Sequence, residues 1–431
     1  MRTLACTAVI AVLGLVGCGN PPARWGQAKN AKDPKAQTAQ DAPEVDYSAM
    51  MDREVSGQYP THDVSLLGGA FTGQLQATAP PVIQNGQTAE GVKVATLAFR
   101  IGSANGMVCY VRGTRDVAGL VDTKIDEIKK EMAKNGIQGR LEAPEVSVEI
   151  EGSHPVLYLD VPTVVKKPDG ERPGLIKLAF SPRDGGSVLC MHDEIGYKKT
   201  FKRIVGGLVT SGTVTGDYPQ PVYTEIAIAK SEGKTVGYAE SYEFVQDGQV
   251  KTLDVLALVR SNKSGGGVLD QVERATANGK GELVSLQRAI GTNRESITAL
   301  DLKRGNGNAY VYEGLVQKTK VKGSFTAPRA LETRGALAGR MAQVASGKLK
   351  ELKYLVYNEA QRLEGPIEVT VTREDPKTLS HKGDNGEVWQ TAIDALGLAE
   401  RTMYARDKNG ERIILERAYS QGQPSATVAK K

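Results

Sequence analysis

Apolar residues recur at steps of three and four at Val117, Leu120, Val121, Ile125, Ile128 and Met132, while charged residues take most of the positions between them. That spacing predicts an amphipathic α-helix, closed at Asn135-Gly136 where the backbone can turn left-handed. On both sides of it the pattern changes to alternation or to short unbroken apolar runs. Residues 92–101 and 107–112 precede the helix, and 145–151, 156–165, 174–181 and 187–192 follow it. Each reads as a β-strand. Tyr197, Phe201, Val205 and Leu208 then form a second helical stripe. The order β-β-α-β-β-β-β-α across residues 58–212 predicts an antiparallel sheet with helices packed on it.

Two prolines in Asp217-Tyr-Pro-Gln-Pro221 deny that stretch both helix and ladder bonds, so residues 213–221 read as a linker. A second region, 222–420, is strand after strand: 223–229, 236–245, 249–260, 266–275, 281–289, 296–303, 308–312 and 315–320. Asp247-Gly248 between two of these runs is a hairpin signal, because the tight turn needs positive φ. Gly305-Asn-Gly-Asn308 falls between strands without a following helix and reads as a turn, not a phosphate cradle. A helix from 328 to 345 follows, carrying Leu331, Leu337, Met341 and Val344. Strands return at 350–357, 366–374, 387–395, 401–406 and 412–417, the last two joined at Asn409-Gly410. The fold class is α+β: an N-terminal antiparallel sheet with packed helices, then a large curved antiparallel sheet with one or two helices. Residues 421–431 read as a disordered tail.

Composition alters this picture at the N-terminus. Arg2 precedes an uncharged apolar stretch from Leu4 to Val16, shorter than the roughly 20 residues a membrane-spanning helix needs. It ends in Leu15-Val16-Gly17-Cys18, which resembles the lipobox of bacterial lipoproteins. The resemblance implies a signal peptide over 1–17, cleavage between Gly17 and Cys18, and a lipid anchor on the Cys18 thiol and amine. Several acyl chains hold a protein stably, since each buried methylene contributes about 0.8 kcal/mol. Gly19 in place of an aspartate points, within that family, to the outer membrane and a body facing the periplasm. Residues 18–57 then form the lipidated start and a disordered tether, rich in Pro, Ala, Gln, Lys and Asp up to about residue 43. A net charge of +5 with acids and bases intermixed provides no nucleic-acid footprint.

Two cysteines remain in the body, Cys109 and Cys190, each within an apolar strand. In an oxidising compartment they are expected to form a disulfide. The run from Gly196 through Tyr197, Phe201, Ile204 and Val205 is similar to the closing helix of the PsbP/DcrB family of small α/β sandwiches. Members of that family imply an accessory or chaperone role without a shared catalytic centre. Gly233-Lys-Thr-Val-Gly-Tyr238, Asp247-Gly-Gln-Val-Lys-Thr252, the 279–286 hairpin and Val388-Trp389 with 407–410 resemble a β-rich domain of bacterial transglutaminase-like proteins. That resemblance implies a sheet curled around a helix, as in the lipoprotein carriers LolA and LolB.

Chemistry is sparse. Neither strand cysteine sits at a helix N-terminus that would lower its thiol pKa. The four histidines, His62, His154, His192 and His381, are scattered, and alternation sends Met191 away from Cys190 and His192, which argues against a copper site. No catalytic residue, metal site or cofactor is expected. The sequence therefore predicts a non-catalytic lipoprotein that binds an envelope protein or other envelope component, or alternatively carries an apolar ligand such as a lipid in the curved sheet.

Overall fold

A computed structural model describes residues 47–104, 106–168, 170–214, 219–260, 267–292, 295–404 and 412–424. The leader with Gly17 and Cys18, most of the tether, part of the linker, the Asn409-Gly410 turn and the end of the tail lie outside these residues. Among the described residues no helix is long and apolar enough to cross a membrane.

The first half runs α1 (Tyr47–Met51), β1 (Thr61–Leu66), β2 (Phe71–Gln76), β3 (Val82–Gln87), β4 (Lys93–Phe99), β5 (Met107–Arg112), α2 (Leu120–Lys134), β6 (Gly139–Leu141), β7 (Glu145–Glu151), β8 (His154–Lys167), β9 (Gly170–Arg183), β10 (Gly186–His192), α3 (Lys198–Ser211) and β11 (Thr213–Val214). Its main sheet is ordered β3-β4-β5-β10-β9-β8-β6, with β7 also on β8, and a small sheet β1-β2-β11 lies apart. Both expected helices are present. The α2 stripe rests on Leu157, Leu159 and Leu178 of one sheet face, and Phe201, Ile204, Val205 and Leu208 of α3 pack against the other.

The first half departs from the sequence expectation at its ends. Arg53, Glu54 and Val55, placed in the tether, are hydrogen-bonded to the start of α3. Thr213 and Val214, placed in the linker, pair with Thr72 and Phe71. Strands β1 to β3 have no long apolar run and were not foreseen; all of β3 is exposed.

The second half forms one 14-stranded antiparallel sheet. It runs β12 (Tyr223–Ser231), β13 (Lys234–Gln246), β14 (Gln249–Arg260), β15 (Gly267–Ala277), β16 (Leu283–Thr292), β17 (Glu295–Arg304), β18 (Ala309–Val316), β19 (Thr319–Thr326), α4 (Arg334–Ala345), β20 (Glu351–Val356), β21 (Ile367–Arg373), β22 (Thr378–Gly383), β23 (Val388–Ile393), β24 (Ala399–Met403) and β25 (Ile413–Gly422). Two meanders meet where β12 pairs with β25, leaving β19 and β20 as the end strands. Gln421 and Gly422, placed in the tail, complete that pairing.

Laid flat, 14 strands would separate the ends by about 60 Å. Instead Phe325 of β19 stacks on Tyr357, one residue past β20, with ring centroids 5.2 Å apart. The sheet therefore curls, and α4 lies within the curl: Leu337 and Val344 pack with Val369, Val371 and Leu379, while Arg334 reaches Glu225 on β12. The sheet is β-rich and curved around one helix, and the helix starts at Arg334, not at 328. Residues 328–333 are instead largely extended, with Leu331 fixed by the Tyr310 hydroxyl.

The halves share a core. Ala118 and Val121 cluster with Leu157, Leu159, Tyr238, Ala257, Val259 and Val268. Asp270 on β15 accepts the Ala118 and Gly119 N–H groups at 3.0 and 2.7 Å, just ahead of α2. Arg115 donates to Glu240 at 2.7 Å and lies over the Tyr242 ring.

Candidate functional site

The two residues expected to be joined are joined. Cys109 and Cys190 stand directly opposite on β5 and β10 and form a disulfide, S–S 2.04 Å, buried in the first core. Met191 packs in the cluster on the other sheet face. The histidines are not brought together: His62 is on β1, His154 opens β8, His192 ends β10 and His381 is on β22. Cys18 and Gly17 cannot be placed, being outside the described residues.

The most unusual chemistry lies on the concave face of the large sheet. Antiparallel register sets Glu225 opposite Ser241, Ser241 opposite Asp254, Asp254 opposite Glu273 and Glu273 opposite Arg288. Directly opposed residues share a face, so five strands present one polar row. Each end of the row is tied down. Glu225 accepts from the Tyr223 hydroxyl at 2.6 Å and from Arg334 of α4 at 2.6 and 2.7 Å. Arg417 stands 3.9 Å from Glu225 and 2.9 Å from Asp394. At the far end Arg288 holds Glu273 at 2.6 Å, also binds Glu359, and reaches the Tyr357 carbonyl at 3.3 Å.

Asp254 is the exception in the middle. Burial, followed by the negative charges of Glu273 and Glu243, pushes its carboxyl up to about 7, against the opposing pull of the Ser241 hydrogen bond and of Arg334. It therefore takes or releases a proton near neutral pH. Tyr404, just past β24, is pushed up by burial and senses both Arg334 and Asp254. Yet 44% of Tyr404 and 43% of the Arg334 side chain remain accessible. Arg334 and Tyr404 are therefore partly open to solvent beside the row.

On β22, His381 stacks on Trp389 with centroids 5.1 Å apart and meets Tyr354 edge-on. Its Nδ1 lies 3.4 Å from the Tyr354 hydroxyl, Nε2 has no hydrogen-bond partner among the described residues, and burial holds the imidazole down to about 4. The row can hold a polar group by hydrogen bonds and exchange one proton with it. Ser241 bonds Asp254 without an intervening base, which differs from the nucleophile–base–orienter relay of covalent catalysis. None of the five residues of the row was singled out in the sequence. The available signal was the run of polar residues on the inward positions of β12 to β16, legible only once hairpin register is known.

No protein-family model matches the chain, and no curated relative matches it. Among solved structures it is similar to a β-barrel-like protein of the domain of unknown function DUF1849 from Brucella abortus, at 9% identity and a TM-score of 0.36, covering 47% of this chain and 98% of that one. It is also similar to a DUF1089 family protein from Pseudomonas aeruginosa, at 14% identity and a TM-score of 0.23, covering 44% and 93% respectively.

Proposed function

We propose that this chain is a non-catalytic lipoprotein of the cell envelope, anchored through Cys18 at the periplasmic side of the outer membrane, that binds an envelope protein or other envelope component. The observation that carries the binding role is the polar row Glu225–Ser241–Asp254–Glu273–Arg288 on the concave face, with Arg334 and Tyr404 partly exposed beside it. The buried Cys109–Cys190 bond supports the compartment, since structural disulfides persist outside the reducing cytosol. The shared core between the halves supports a rigid presenting body, which lowers the ordering cost of binding. The PsbP/DcrB resemblance agrees with an accessory role.

The test is affinity purification of the full chain from its own envelope, with proteins and lipids identified by mass spectrometry, for wild type and Arg334→Glu. A stoichiometric protein lost in the variant supports the reading. Equal recovery from both forms would remove the concave face from it. The second reading, a carrier of an apolar ligand, requires the Leu, Val and Tyr side chains at both ends of the sheet, which pack into two buried clusters, to part for the ligand. A co-purifying lipid with no protein would favour it.

A further inference from the structure

Among the described residues the sheets end on β3 and β6 in the main sheet of the first half, β1 and β11 in the small sheet, and β19 and β20 in the large one. An open strand edge invites pairing with another chain, and proteins blunt it with charge or by keeping the strand short. Most of these edges follow that rule. β1 carries Asp63, β19 carries Lys320 and Lys322, β20 carries Glu351 and Lys353, β6 is a 3-residue strand that includes Arg140, and β11 has only 2 residues. β3 does not. Its run from Val82 to Gln87 bears no charge and every residue of it is exposed, Val82 and Ile83 leaving 55% and 36% of their surface open.

Register decides which backbone groups lie on that edge. Beside the β3–β4 turn the Thr88 N–H donates to the Val92 carbonyl, and on the far side of β4 the Lys93 carbonyl accepts the Gly113 N–H, both at 2.9 Å. Thr88 and Val92 are thus a bonded pair, while Lys93 turns away from β3. Bonded pairs alternate along an antiparallel ladder, so Val82, Gln84 and Gly86 bond their β4 partners Ala98, Thr96 and Val94. Ile83, Asn85 and Gln87 point their N–H and C=O groups outward, where no strand of the described residues pairs with them. The next outward position on one side is Pro81, which has no N–H to offer, and on the other the chain turns back. The open set is therefore centred on Asn85.

Such a set is complementary to itself. We infer that β3 is a homotypic pairing site, at which a second copy of this chain adds its own β3 antiparallel across a twofold axis at Asn85. Ile83 then exchanges both bonds with Gln87 of the second copy, and Asn85 with its own counterpart, so that every open group is used. Directly opposed residues share a face, so the two sheets continue into each other, and the added strand covers Val82 on one face and Ile83 on the other. Charge at the ends agrees. The same register lays the turn with exposed Glu90 alongside Pro80 of the second copy, at the end where the Thr78 N–H bonds the carbonyl of exposed Arg100. An acid of each copy thus approaches a base of the other, and β3 itself has no charge to repel its counterpart. The pairing is independent of what the concave face binds.

Sedimentation velocity of the full chain in detergent, over a wide range of concentration, tests the pairing. The wild type should pass reversibly from monomer to dimer. Gln87→Pro removes an outward N–H, a change that edge strands tolerate. Because the bond is lost on both sides of the axis, the dimer should weaken about tenfold or more while the melting temperature stays near that of the wild type. Asn85→Lys, which sets like charges opposite each other on the axis, takes its place if the proline variant does not fold. With diamide as oxidant, Asn85→Cys should lock into a disulfide-linked dimer well above the wild-type background, and Gln84→Cys, which stands opposite Gly86 of the second copy, should not. A monomer at every concentration, a dimer equally strong in the proline or lysine variant, or a dimer that Asn85→Cys fails to lock would overturn the inference.

Discussion

Arg115, from the loop ahead of α2, donates to the carboxylate of Glu240 on β13 at 2.7 Å, and the Glu240 side chain is fully buried. A charge pair so placed ties two sheets into one cooperative body. Removing one partner leaves the other charged in a low-dielectric site, which costs about 3–5 kcal/mol. Arg115→Ala should therefore lower the unfolding temperature substantially and, in calorimetry, separate the two halves into distinct transitions. A single transition at the wild-type temperature would show that the shared apolar cluster suffices.

The disulfide closes a loop with a sequence separation of 81. By the chain-entropy relation a loop of that length contributes about 4.5 kcal/mol. Cys109→Ala with Cys190→Ala should lose stability of that order in denaturant titrations, and intact mass of the denatured, unreduced protein should show neither thiol free to alkylation.

Asp254 makes a signed prediction. Its folded pKa of about 7 lies above the unfolded value near 3.8, so its contribution is fully present below the unfolded value and is lost as pH rises through 7. Asp254→Asn should be more stable than the wild type at pH 8, by up to about 4 kcal/mol, with the difference vanishing toward pH 4. A variant less stable at both ends would show that the carboxylate is held by partners, not strained by its neighbours.

How much was legible follows from the range over which each feature is encoded. The α2 stripe and the Asp247-Gly248 turn are local, and both stand: Asp247 and Gly248 have φ of +52° and +70°. The pairing Cys109–Cys190 followed from compartment and count. Strand β22 was missed because only Leu379 among its inward residues is aliphatic, beside His381 and Gly383. The β18–β19 turn was misplaced because Gln317 and Lys318 take positive φ without being turn residues. The polar row is a property of register across five strands, and no window along the chain contains it. The bond from Thr200 to Glu54 was hidden for the same reason, since the two residues meet only in the fold.

The seating of α4 inside the curl is tested by Gly397, at φ +82°, where a Cβ would collide with the Ala338 carbonyl. Gly397→Ala should cost about 3 kcal/mol or more, from backbone strain and overpacking together. An unchanged melting temperature would mean that the helix does not press on that turn.

The proposed anchoring at the envelope is tested most directly by intact mass of the protein extracted from its native membranes. The expected species begins at Cys18 and carries the mass of a diacylglyceryl group with an acylated amine, while Cys18→Ser accumulates with its leader and no lipid. A mature chain that begins elsewhere, or a Cys18 free of lipid, would contradict it.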